Sequence, residues 1–311
     1  MKTRKLVLII ADVLLLAVCI IQLALSARDT TKYFTFKDEP DFLEIVTPDE
    51  TISLYKEDDN WVIGDKKYPA NIGVVDGYIS AISSIRALDK VGNISSGNNA
   101  ERYELTDGKK TVVTAKLGDK VLRTIEIGKT SVSSSQCYVT VDGGKDIYLV
   151  SGGINDTFYT SVAAARTTIV LDLAPEDITA VSVTDFSDEN EPDGKTWSVS
   201  RMGSGDDVAW NVSGGEVDLD GGKANAWLTS FASLSTRDWY LEDAVLEGVK
   251  TVSAKITCAY KDITLEFYAL PKDSEGDLQQ YYGTCSNTPY RFKVDDSTVK
   301  QYLKPLEELA K

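Results

Sequence analysis

The chain of 311 residues contains no histidine. That excludes Ser-His-Asp and Cys-His catalysis, imidazole-built zinc sites and the usual switch near neutral pH. Cysteine is scarce, and Cys19, Cys137, Cys258 and Cys285 do not fall at metal-ligand spacing. No glycine-rich stretch carries the Lys-Ser/Thr of a phosphate loop; the pairs at 143–144, 152–153, 214–215 and 221–222 mark turns. Basic side chains are outnumbered 33 to 48, for a net charge of −15. A surface that acidic repels nucleic-acid phosphates and anionic lipid head groups. These absences leave no catalytic residue, no cofactor-binding residue and no metal ligand to assign.

One long apolar run stands against this background. Leu6 to Leu25 is broken only by Asp12 and Gln22, behind Lys2, Arg4 and Lys5. About twenty helical residues span the roughly 30 Å of a bilayer core, and the basic flank places the N-terminus in the cytoplasm. The run exceeds the h-region of a signal peptide, which favours a retained signal-anchor. Two alternatives stay open. One is cleavage before Ala27, after the small residues Ala24 and Ser26. The other is a lipoprotein signal at Leu16-Ala17-Val18-Cys19, in which Val18 is bulky and Cys19 deep in the run. Asp12 either faces a partner membrane helix or is snorkelled or protonated. The expected location is the plasma membrane, single-pass, with the bulk of the chain extracytoplasmic.

Residues 1–27 are thus expected as basic tip and anchor, and 28–41 as a polar stalk. Strands are expected at Phe42–Thr47, Thr51–Lys56 and Asn60–Gly64, then a helix over Asn71–Leu88 with Ile72, Val75, Tyr78, Ile79, Ile82, Ile85 and Leu88 as its stripe and Asn71 as N-cap. After a polar loop (92–110), strands follow at Thr111–Leu117, Val121–Ile127, Gln136–Val141 and Asp146–Ser151, and a short helix over 155–165. The programme then restarts. Strands fall at Ile178–Thr184, Thr196–Arg201 and Val208–Val212, a helix at Gly222–Ser235, strands at Val249–Ala259, Ile263–Ala269, Gln280–Cys285 and Tyr290–Val294, and a helix at Ser297–Leu309.

Trp61, Tyr78, Ile79, Ile82 and Ile85 match Trp210, Trp227, Leu228, Phe231 and Leu234 at an offset of 149. Tyr138, Val150, Phe158 and Val162 match Tyr282, Val294, Tyr302 and Leu306 at 144. The expected fold class is α+β: a transmembrane helix, then two tandem repeats, 42–170 and 171–311. Each repeat is a mostly antiparallel sheet with helices on one face, β-β-β-α-β-β-β-β-α. The alternative is a single continuous domain whose halves look alike.

The order of short motifs is familiar: Tyr68-Pro69-Ala70-Asn71 before the helix, Arg102-Tyr103-Glu104-Leu105, Glu126-Ile127-Gly128-Lys129, Cys137-Tyr138-Val139 and Ile147-Tyr148-Leu149-Val150. This resembles the DUF4340 domain family. The resemblance implies a bacterial protein with an N-terminal membrane helix that accompanies ABC transporter permease and ATPase subunits, of the gliding or auxiliary-transport kind. It implies no catalytic residues. In one departure Glu104 stands where the family has Gly. Glu lacks glycine's freedom at positive φ, so that turn is expected to differ.

Other motifs carry less. Asp218-Leu219-Asp220-Gly221 begins like a calcium loop, but Lys223 and Thr229 occupy the Gly and Glu positions, so a turn into a helix is the better account. Ser53-x-x-Lys56 has a hydrolase spacing, yet in a strand the two side chains oppose each other. Asp185 to Glu191 reads as a solvated acidic loop. Cys258 and Cys285 either pair or are buried singly. Trp239-Tyr240 and Tyr281-Tyr282 are adjacent aromatics that either present an exposed contact for a protein or sugar or pack between the repeats. The expected function is a non-enzymatic, membrane-anchored accessory or scaffold of an ABC-type transport system. The alternatives are a free-standing cell-surface ligand or glycan binder and, more remotely, a hydrolase with a His-free site.

Overall fold

The computed structural model describes residues 10–11, 13–22, 30–132, 135–203, 208–241, 243–272 and 278–311. The chain divides into two compact units, Met1–Thr167 and Thr168–Lys311.

The first unit runs β1 (Lys32–Thr35), β2 (Phe42–Val46), β3 (Thr51–Glu57), β4 (Asn60–Ile63), β5 (Tyr68–Pro69), α1 (Ile72–Ser83), β6 (Ser84–Asn93), α2 (Asn99–Arg102), β7 (Thr111–Leu117), β8 (Lys120–Thr130), β9 (Gln136–Val141), β10 (Asp146–Ser151), α3 (Ile154–Phe158) and α4 (Val162–Ala165). Among the described residues its strands form one ten-stranded antiparallel sheet, β1-β6-β10-β9-β8-β7-β2-β3-β4-β5. Alternation decides which side chains are inside. Leu43 and Ile45, Ile52 and Leu54, and Val113 and Ala115 point to one face and are fully buried. Helix α1 closes that face with Val75, Tyr78 and Ile82.

The second unit runs β11 (Ile169–Asp172), β12 (Ile178–Asp185), β13 (Lys195–Met202), β14 (Ala209–Ser213), α5 (Gly221–Thr229), β15 (Ser233–Ser235), β16 (Val249–Cys258), β17 (Asp262–Ala269), β18 (Tyr281–Cys285), β19 (Thr288–Val294) and α6 (Asp296–Tyr302). Its sheet order is β14-β13-β12-β16-β17-β18-β19, and β11 pairs with β15 separately. That is the order of β4-β3-β2-β7-β8-β9-β10 in the first unit, with β1-β6 as the counterpart of β11-β15. The core is heavier here, with Trp197, Trp227, Phe231, Phe267, Phe292 and Tyr302.

Backbone bonds recur as well. Asn71 N–H donates to the Ala165 carbonyl (2.8 Å) and Thr167 N–H to that of Pro69 (2.9 Å). In the second unit Asp220 N–H donates to Leu309 (2.9 Å) and Lys311 N–H to Asp218 (3.1 Å). The bridges Ala70–Arg166 and Leu219–Ala310 sit between them. One side of each pair is offset by 149 and the other by 144, the two offsets of the aromatic spacings. In both units the first main helix begins at this clasp, capped by Asn71 or by Asp220.

Several expectations need correction. Ile85 and Leu88 are not the end of a helical stripe. The helix stops at Ser83, and Ser84–Asn93 is β6. A spacing of three suits a helix, but Ile85 and Ala87, two apart, are the buried pair. The same happens at the matching place in the second unit, where α5 stops at Thr229 and Leu234 lies in β15. Residues 32–35, expected within a stalk, pair with β6 as β1. The expected helices over 155–165 and 297–309 each break in two, at Tyr159–Ser161 and at Leu303–Pro305. No helix among the described residues is long and apolar enough to cross a membrane. Residues 10–11 and 13–22 are helical, and Asp12 lies outside the described residues.

The two caps are equivalent, so their loss should cost alike. The Asn71 side chain accepts from Gly73 N–H (3.1 Å) and Val74 N–H (3.4 Å), and the Asp220 carboxylate from Lys223 N–H (2.9 Å). Asn71→Ala and Asp220→Ala should each destabilise by about 1 kcal/mol in urea unfolding. An unchanged midpoint in either variant would contradict the role given to that cap.

Candidate functional site

A cleft of about 540 Å³ opens in the first unit where four pieces of chain converge. The β2–β3 turn supplies Thr47 to Glu50, the segment after α2 supplies Glu104 and Lys109, the end of β8 supplies Gly128 to Thr130, and the break between α3 and α4 supplies Phe158 to Ser161. Local bonds fix each wall. The Thr47 hydroxyl accepts from Glu50 N–H (3.0 Å) and Asp49 N–H (3.3 Å), which folds the turn. The Glu50 carboxylate accepts from Val162 N–H (3.4 Å), and the Asn155 amide donates to the Thr130 hydroxyl (2.8 Å). Tyr78 of α1 and Thr160 are hydrogen-bonded through their hydroxyls. Burial pushes the Tyr78 phenol up.

The cleft's back wall depends on one strained residue and one glycine. Glu104 has φ +57°, so it takes the left-handed conformation a glycine would take, and the expectation of a different turn is wrong. What holds it there is the neighbouring strand. The Tyr103 carbonyl accepts from Lys129 N–H (2.9 Å), and Leu105 N–H donates to the Ala100 carbonyl (2.9 Å). The Tyr103 ring packs on Tyr138 with centroids 4.5 Å apart. Gly128 lets the turn come this close: a Cβ there would lie 2.1 Å from the Tyr103 oxygen and 3.0 Å from Leu105 Cγ. The two stretches Tyr103-Glu104-Leu105 and Glu126-Ile127-Gly128-Lys129 are therefore one structural unit.

The second unit has the matching place, nearly filled. Its cavity of about 100 Å³ is lined by Asp185, Lys195, Trp197, Gly214, Leu303, Pro305, Leu306 and Glu307. Leu303 and Pro305 correspond to Tyr159 and Ser161 at the offset of 144. Asp185 and Lys195 flank the second unit's turn as Thr47 and Glu50 flank the first. Wider clefts also recur beside Trp61 and Trp210, with Asp59, Ile72 and Asp76 of one matching Val208, Gly221 and Asn225 of the other.

The aromatics singled out in the sequence lie within the second unit. Trp239 and Tyr240 sit half-buried in an extended segment beside β19, where Tyr240 N–H donates to the Arg291 carbonyl (2.9 Å). Trp239 meets Tyr290 and Phe292 edge-on, at 6.1 and 6.0 Å. Tyr281 is half-buried and its hydroxyl donates to Asp296 (3.4 Å). Tyr282 is buried, with 8% exposure, and stacks on Tyr268 at 4.8 Å. Burial, and then the bond from its hydroxyl to Glu266, push the Tyr268 phenol up. Tyr159, which lines the first unit's cleft, does stand in solvent, with 88% exposure, more than the exposed Tyr33 and Tyr260. It was hidden in the sequence as one residue of an expected helix; only the break after Phe158 turns it outward. Cys137, Cys258 and Cys285 are buried and unpaired. Among the described residues no group of His, Cys, Asp and Glu is placed to hold a metal ion.

Two antiparallel α+β units with matching strand order define the class of protein by fold. Residues 61–252 match the model of the domain of unknown function DUF4340, and the chain belongs to that family. The match begins in β4 and ends in β16, so it spans parts of both units and holds every part of the cleft except the β2–β3 turn. No curated protein and no solved structure matches the chain.

Glu104→Gly should stabilise the protein by up to about 1 kcal/mol, because the left-handed penalty disappears. Gly128→Ala should destabilise it by about 1–3 kcal/mol. Urea midpoints that moved in the opposite directions would refute this account of the turn. The cysteines give a separate check. Burial pushes the Cys137 thiol up to about 11, so at pH 8 it is both protonated and covered. Cys137, Cys258 and Cys285 should resist alkylation in the native protein and react together on unfolding; rapid native labelling of any of the three would show that its site opens.

Proposed function

We propose that the protein is a non-enzymatic, membrane-anchored extracytoplasmic accessory or scaffold of an ABC-type transport system. One observation carries the reading. Val13, Leu14, Leu15 and Leu16 are 62–65% exposed, and Val18, Ile20 and Ile21 are 48–58% exposed. Four consecutive helical residues point in four directions, so, among the described residues, 13–21 present an apolar surface that is exposed all round. Such a surface belongs in lipid or against another apolar helix. The run Leu6–Leu25 is long enough to cross a bilayer, with the basic tip in the cytoplasm.

The transporter context is what the resemblance to the family implies; the family's own description assigns no function. The two units are two copies of one module: strand order, caps, clasp bonds and clefts correspond at a few fixed offsets. Paired modules on a tether suit a scaffold that touches a permease at more than one place, and Asp12 is then the anchor residue that faces the partner's helices. A second reading, a free-standing cell-surface binder of a ligand or glycan, is favoured by the first unit's open cleft.

The full-length protein should remain in the membrane pellet after alkaline carbonate washing. In mild detergent it should bring permease and ATPase subunits with it, and Asp12→Leu should weaken that association. Release by carbonate would remove the anchor; a protein that runs alone at every detergent strength would remove the transporter role.

A further inference from the structure

We propose that the cleft of the first unit binds a short neutral carbohydrate, with Tyr159 as its stacking platform. The inference rests on the second reading above and gives it a ligand class. The volume, about 540 Å³, lies in the range of small-molecule sites, roughly 300–1,000 Å³. The lining is unusual for a drug-like ligand. It holds the hydroxyls of Thr47, Thr111, Thr130, Thr160 and Ser161 and the Asn155 amide, with charged groups of both signs around them.

The state of those charges decides the ligand. Glu50 already accepts from Val162 N–H, and Lys109 stands 3.7 Å from Glu101. Among the described residues the carboxylates of Asp49 and Glu104 and the ammonium of Lys129 have no ion-pair partner. A ligand that meets all three must both donate and accept, and a hydroxyl does both at each position. Three carboxylates against two ammoniums disfavour a polyanion. Tyr159 supplies the complementary surface. A ring 88% exposed at a polar cleft offers a flat apolar face, which suits the C–H face of a pyranose.

The second copy of the site is an internal contrast. There the position of Tyr159 is Leu303, that of Ser161 is Pro305 and that of Glu50 is Lys195, and only about 100 Å³ remains. The platform and the space are lost together, so the second unit's copy of this site should not bind the same ligand.

The test uses full-length protein in phosphatidylcholine nanodiscs, titrated calorimetrically with cellobiose, maltotriose, chitobiose and glycylglycine. At least one saccharide should bind. Tyr159→Ala should weaken that binding about tenfold and Glu104→Gln should weaken it measurably, with unchanged thermal unfolding, whereas Leu303→Ala should leave the affinity as it was. Failure of all three saccharides to bind, or affinity that survives Tyr159→Ala, overturns the proposal. If glycylglycine alone binds, and does so through Glu104, the carbohydrate class falls while the ligand-binding reading stands. If no probe binds at all, both fall.

Discussion

Each unit is closed by a pair of backbone hydrogen bonds that tie the start of its main helix to the end of its last one. In the first unit these join Asn71 to Ala165 and Thr167 to Pro69, and in the second Asp220 to Leu309 and Lys311 to Asp218. An intramolecular amide–carbonyl bond contributes about 0.5–1.5 kcal/mol net, so such bonds are kept wherever the chain can reach them. The reach here has consequences for everything around it. It sets where the capped helix begins, which lays the helix over the sheet's apolar face. It also pulls the last helical piece back across that face. In the first unit this brings the α3–α4 break beside the β2–β3 turn, and the cleft lies between them.

The same clasp produces different sites in the two copies because the residues around it differ in bulk. Where the first unit has Tyr159-Thr160-Ser161, the second has Leu303-Lys304-Pro305. Ser161 caps a short helix through its hydroxyl and Tyr159 turns out to solvent. Leu303 and Leu306 instead turn toward the core of their unit, and Leu306 is almost fully covered. A module held by backbone bonds can vary its side chains without losing its shape, which is how one copy keeps an opening and the other fills it.

Much of this architecture could be read from residue order. Strand periodicity located most strands to within a residue or two, and Asn71 announced its helix by a cap that the structure contains. The spacing Trp61-Tyr78-Ile82 against Trp210-Trp227-Phe231 pointed to matching elements. Other features depend on partners distant in sequence. Ile85 and Leu88 suit a helix by spacing, and only pairing with β1 and β10, both distant in sequence, makes this stretch a strand. Glu104 should avoid positive φ by its own preference, yet the contact of Tyr103 with Gly128 and Lys129 overrides it. Tyr159 has no local signature, since its exposure follows from a helix break. The candidate site was thus half visible: the stretches around Glu104 and Gly128 are motifs of the family resemblance, whereas the β2–β3 turn and the α3–α4 break carry none.

The central claim is that the clasp holds each unit shut, and amide hydrogen exchange on the full-length protein tests it most directly. The amides of Asn71, Thr167, Asp220 and Lys311 should exchange slowly, with opening free energies close to those of the central strands in their own units. Exchange of Thr167 and Lys311 at the rate of exposed loops would show that the clasp is open in solution and that something else closes the sheets.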